Sequence, residues 1–105
     1  MVQLSQITAA AELLRQAAQP QRIILFGSHA RGDADEYSDV DLLVVEAEVP
    51  DRVAEMVRLG RVLSPLRIPV DILVVSDEAF RRWSELPDTV YYDARRNGRV
   101  LYEAP

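Results

Sequence analysis

Three short apolar runs, Arg22–Phe26 (RIILF), Val40–Glu46 (VDLLVVE) and Pro69–Val75 (PVDILVV), constrain the fold more than any other feature of the chain. The first is unbroken and ends at Gly27, as a strand buried on both faces would. The other two carry the β-branched residues expected of strands. Helical spacing fills the intervals. Leu4, Ile7, Ala11, Leu14 and Ala18 lie on one helical face and Pro20 supplies a stop, which predicts an amphipathic helix over residues 5–18. Val53, Met56, Val57, Gly60 and Leu63 keep the same period after Pro50-Asp51, with Leu59, Val62 and Leu66 widening the face and Pro65 ending or kinking it. Ser76-Asp77-Glu78 reads as an N-cap followed by first-turn acids. A second C-terminal helix is expected to start at Pro87 and to end at Asn97-Gly98. This order predicts an α/β fold: a small central sheet flanked by helices, one domain over residues 1–105.

Charge and composition narrow the partners. The net charge is −5, so a free nucleic-acid backbone is a poor partner unless basic groups are concentrated in one place. Arg81, Arg82, Arg95, Arg96 and Arg99 gather toward the C-terminus, but acids lie among them; the segment reads as a mixed-charge helix face and stays a candidate docking surface. Cysteine is absent, which excludes disulfides, thiolate metal sites and cysteine nucleophiles and suits a reducing compartment. There is no basic region ahead of an apolar block at the N-terminus, and no run approaches the ~20 apolar residues of a membrane span. A soluble cytoplasmic protein is the expectation.

The chemistry centres on Asp39, Asp41 and Asp71. Residues two apart on a strand share a face, about 6.6 Å apart at Cα, so the carboxylates of Asp39 and Asp41 can converge. Two anions on one side of a buried sheet repel unless a cation lies between them. Oxygen ligands without histidine or cysteine favour Mg²⁺ or Mn²⁺ over zinc. Alternatively, Asp39 caps the preceding turn and Asp41 is solvated at the strand mouth. Asp71 sits near the start of another strand that a neighbouring register could bring to the same edge, though a turn role after Pro69 also accounts for it. Three carboxylates from two strands match what two-metal phosphoryl transfer requires.

Gly27 and Ser28 follow the first strand, where a glycine admits close approach of backbone N–H groups to an anion and Ser28 can donate its hydroxyl. The chain has no lysine, no P-loop and no dinucleotide fingerprint, so a triphosphate would depend on metal, this turn and arginine. Arg31 is the candidate phosphate contact, or else pairs with Asp33, Asp35 or Glu36. His29, the sole histidine, fits a substrate contact or a solvent-facing loop position. Trp83, Tyr91 and Tyr92 read as core or interface aromatics.

The stretch GSHARGDADEYSDVDLLVV, with Asp71 in PVDILVV, resembles the motif of the DNA polymerase beta-type nucleotidyltransferase superfamily, and within it the minimal nucleotidyltransferases encoded beside HEPN-domain toxins. The terminal VYYDARRNGRVLYE is similar to that family's closing helix and tail. The resemblance implies a small mixed sheet with Asp39 and Asp41 as Mg²⁺ ligands, Asp71 completing the metal site and helping to deprotonate an acceptor hydroxyl, and Gly27 and Ser28 binding the nucleoside triphosphate. It further implies transfer of AMP from ATP to a tyrosine of a cognate HEPN RNase toxin, silencing it, within a hetero-oligomer and without direct nucleic-acid or membrane contact. Two alternatives remain: a non-catalytic antitoxin that masks its partner, and a transferase acting on a small molecule of aminoglycoside type.

Overall fold

A computed structural model describes all 105 residues. The chain runs through α1 (Leu4–Ala18), β1 (Arg22–Phe26), α2 (Ser28–Arg31), β2 (Val40–Glu46), α3 (Arg52–Leu63), a 3-10 turn at Ser64–Leu66, β3 (Val70–Ser76), α4 (Asp77–Trp83), α5 (Val90–Asn97) and β4 (Arg99–Glu103). The strands form one sheet in the order β3-β2-β1-β4. β1 is antiparallel to β2 and β4, whereas β2 and β3 are parallel, joined through α3. The sheet is therefore mixed, as the family resemblance implied.

Strand alternation divides the core between two faces. Ile23, Leu25, Leu42, Val44 and Val74 face α1 and α3, meeting Ile7, Leu14, Leu59 and Leu63. Ile24, Phe26, Leu43, Val45 and Val75 face the other way, against Phe80 of α4 and Ala94 of α5. The two C-terminal helices are short and cover that second face only in part. Trp83 and Tyr91 close its margin, their ring centroids 5.2 Å apart, which places both aromatics in packing.

Helix limits follow local chemistry. α1 stops at Ala18 because Gln19 turns left-handed (φ 47°) ahead of Pro20. Asp51 caps α3, its carboxylate accepting from the Ala54 N–H at 3.1 Å, and Ser76 caps α4 by accepting from the Ala79 N–H at 3.2 Å. α5 begins later than Pro87 predicts. Asp88 is left-handed (φ 68°) and cannot belong to a helix, and the cap is Thr89, whose Oγ1 accepts from the Tyr92 N–H at 3.1 Å. Gly98 does end α5, for a reason other than a left-handed cap. Its backbone is extended (φ −77°), and a Cβ there would lie 2.6 Å from Ile24 Cγ2. Glycine is required because the chain passes hard against β1.

That passage leads into β4, a strand the sequence reading left in the tail. RVLYE is exposed or half-buried throughout and pairs only with β1, with an irregularity between Ile23 and Ile24. It lacks the continuous apolar character of a strand covered on both faces.

Candidate functional site

β1 ends where β2 and β3 begin, so Gly27, Asp41 and Asp71 collect at one end of the sheet. The Val40 N–H donates to the Pro69 carbonyl at 2.9 Å and starts the parallel pairing of β2 with β3. That register sets Asp41 directly beside Asp71 on one side, and antiparallel pairing sets it beside Phe26 on the other. By alternation both carboxylates lie on the face that carries Leu43 and Val75. Asp41 is half-buried; Asp71 and Asp39, the latter just ahead of β2, are exposed.

Gly27 makes this proximity possible. Its φ of 73° belongs to the left-handed region, and a side chain there would collide with Asp41 Oδ2. The Asp41 carboxylate is thus packed against bare backbone at the mouth of the Gly27-Ser28 turn. Burial raises its pKa, and the charges of Asp71 and Asp39 raise it further, while His29 and Arg31 pull it down. Asp71, Asp39, His29 and Arg31 therefore all act on Asp41 electrostatically.

The loop between α2 and β2 is built around Asp35. Its Oδ1 accepts from the Tyr37 N–H at 2.8 Å and from Ser38 Oγ at 3.2 Å, and Ser38 Oγ in turn accepts from the Asp35 N–H at 2.9 Å. His29 Nε2 stands 3.4 Å from the Ser38 carbonyl, tying α2 to the residue before Asp39. Asp35, a possible partner of Arg31 in the sequence, instead closes this turn with Ser38; an aspartate followed three positions on by a serine is a common side-chain-stabilised turn. Arg31 pairs with Asp33 at 3.3 Å, both side chains being about half exposed.

No three His, Asp or Glu side chains stand close enough together to enclose an ion as they are placed here. The donor set nevertheless fits a hard divalent cation: Asp39, Asp41 and Asp71 offer only oxygen, and the repulsion that Asp71 and Asp39 exert on Asp41 is what a cation would relieve. No helix is long and apolar enough to cross a membrane.

The sequence profile described as a nucleotidyltransferase domain matches residues 7–101. Two proteins of Methanocaldococcus jannaschii, each named "putative protein adenylyltransferase", are similar to the chain. One is 45% identical over 53 residues, 50% of this chain and 52% of its own length, so the chain spans about half of that relative. The other is 35% identical over 85 residues, 78% of each. A solved structure described as a "putative minimal nucleotidyltransferase" superposes with a TM-score of 0.63 at 29% identity, covering 93% of this chain and 95% of that one. A structure of the tri-AMPylated Shewanella oneidensis HEPN toxin in complex with MNT antitoxin matches with a TM-score of 0.60 at 23% identity, over 98% of this chain and 74% of that one, and shares the fold.

Proposed function

The chain belongs to the nucleotidyltransferase domain family, and from that premise we propose that it transfers AMP from ATP to a hydroxyl of a partner protein, a tyrosine of an HEPN-domain toxin. The observation that carries this reading is the in-register placement of Asp41 and Asp71 on parallel strands beside the Gly27 turn. Two relatives whose names describe protein adenylyltransferases support the protein acceptor, and the structure of an AMPylated HEPN toxin bound to an antitoxin of the same fold supports the choice of partner.

Asp39 and Asp41, with Asp71 beside them, would hold Mg²⁺ or Mn²⁺, which neutralises triphosphate charge and polarises the α-phosphate when bound. The chain's own groups do the rest. The bare backbone at Gly27 and the Ser28 hydroxyl meet phosphate oxygens, and Arg31 turns its fork from Asp33 to the same anion. Asp71, the most lateral of the three carboxylates, accepts the proton of the acceptor hydroxyl. The freed oxygen forms a bond to the α-phosphorus as the bond to the β-phosphate oxygen breaks, and pyrophosphate leaves with that electron pair. His29 holds the Ser38 carbonyl and so positions Asp39.

Incubation of the chain with a cognate HEPN-domain toxin, ATP and MgCl₂ is expected to raise the intact mass of the toxin by one or more adenylyl groups. Asp39→Ala and Asp41→Ala should abolish the adduct. A toxin of unchanged mass that the wild-type chain still silences would replace this reading with simple masking.

A further inference from the structure

The sheet places the reacting groups in a row. The phosphate turn follows β1, Asp39 and Asp41 lie at the start of β2, Asp71 lies on β3, and no strand of the chain pairs with the outer side of β3. Successive positions in this row are about 4.8 Å apart, so an acceptor beside Asp71 would occupy the place of a fifth strand.

The outer side of β3 is also where apolar surface is left open. Val53, Met56, Val57 and Gly60 of α3 face Val70 and Ile72 across a groove of about 250 Å³. Val53 is 70% and Val57 50% exposed, although their i, i+4 spacing is that of a buried stripe. Gly60 is the more telling residue. A glycine inside a helix costs about 1 kcal/mol relative to alanine, yet a Cβ on Gly60 would meet nothing within 4 Å. The fold itself does not require glycine there.

Resting on the AMP-transfer reading above, we infer that the acceptor is presented by an extended segment of the partner that adds to the free edge of β3. Its hydroxyl residue lies opposite Asp71, and the apolar residues on either side of it enter the groove between Val70, Ile72 and α3. The alternation of a strand produces this division without further assumption. A side chain opposite Asp71 falls on the carboxylate face, and its two neighbours fall on the α3 face. The segment recognised is therefore apolar, hydroxyl-bearing, apolar. A second copy of this chain is a poor occupant, because antiparallel pairing about this position sets Asp71 against Asp71, and like charges directly opposite are unfavourable.

End-blocked Thr-Val-Tyr-Val-Thr and Thr-Gly-Tyr-Gly-Thr peptides separate the possibilities. The valine peptide, without nucleotide, is expected to slow amide hydrogen exchange over residues 70–72. With ATP and MgCl₂ it should take up AMP at least about tenfold faster than the glycine peptide, the difference expected from losing even one buried apolar side chain. Gly60→Leu, which fills the groove from a position with open space around it, should remove both effects while leaving ATP binding unchanged and the unfolding midpoint at or above that of wild type. Val53→Asp serves as the second variant. AMP on both peptides alike, or a Gly60→Leu chain that still prefers the valine peptide, overturns the edge site and keeps AMP transfer. Slowed exchange with no AMP on the peptide or on any protein acceptor keeps the edge as a docking surface and removes AMP transfer. Protection of β3 that grows with protein concentration alone assigns the edge to self-association and overturns the proposal.

Discussion

Asp41 and Glu46 stand at opposite ends of β2, five residues and about 17 Å apart, and burial is the first cause holding each carboxyl above its usual range. Their surroundings differ. Glu46 faces Glu55 of α3, and Arg58 grips Glu55 with two bonds of 2.7 and 2.8 Å while also donating to the Ala17 carbonyl at 3.1 Å. The buried Oε2 of Glu46 meets no donor, and burial together with the neighbouring Glu55 pushes the Glu46 carboxyl up to about 7. That cluster thus has an arginine of its own within the chain, which also laces α1 to α3. At the other end Asp41 has Asp71 and Asp39 for neighbours and only the fields of His29 and Arg31 to offset them. An acid cluster that serves packing is neutralised internally. One that serves a ligand keeps its repulsion until the ligand arrives.

The largest test of this contrast is activity. Asp41→Asn is expected to lower AMP transfer by about 10³-fold, the scale of losing a group that organises charge at a reacting phosphate. Its unfolding midpoint should hold steady or rise, since the amide ends the repulsion with Asp71. Glu46→Gln should transfer AMP within about twofold of wild type, because no reacting group is in its neighbourhood. Equal losses in the two variants would erase the distinction between the ends of β2.

Stability is expected to divide the other way. Arg58→Ala deletes the fork on Glu55 and the tie to α1, leaving two carboxylates facing each other, and should cost about 1–2 kcal/mol in urea unfolding. Arg31→Ala removes an exposed pair with Asp33 and should stay within about 0.5 kcal/mol of wild type. Its defect would appear as weaker ATP binding instead. An Arg31 variant as unstable as the Arg58 variant would mean that the site end of the sheet is also held together by its charges.

The two ends were unequally legible in the sequence. Aspartates in β-branched runs are conspicuous because a strand has no local use for them, so Asp39, Asp41 and Asp71 stand out beside Gly27-Ser28. Their juxtaposition was open to sequence only as one possible register and as what the family resemblance implies; the parallel register that sets Asp41 beside Asp71 begins with one hydrogen bond from the Val40 N–H to the Pro69 carbonyl. Glu46 and Glu55 lie nine positions apart, across a loop, and a glutamate ending a strand reads as solvated. β4 escaped notice because an edge strand needs little apolar character. Pro87 misled because the left-handed Asp88, which no composition rule foretells, delays the helix to Thr89.

The test that isolates the packed end is pH dependence. Glu46 titrates near 4.5 when unfolded and at about 7 when folded, owing to burial and its contact with Glu55. Between those values the folded chain binds more protons than the unfolded one, so stability falls as pH rises through the window and levels off above it. Asp41 is raised too and contributes with the same sign, but it is present in both wild type and Glu46→Gln and cancels in their difference. Glu55 is lowered, chiefly by its bonds to Arg58, so its contribution is lost only as pH falls below its ordinary value. Urea midpoints at pH 5 and pH 8 should therefore show Glu46→Gln gaining on wild type by about 1 kcal/mol at the higher pH, the part that survives solvent screening of a half-buried group. A difference between the two proteins that is the same at both pH values would mean that Glu46 ionises as freely in the fold as outside it, and that the packed end of β2 tolerates its repulsion just as the site end does.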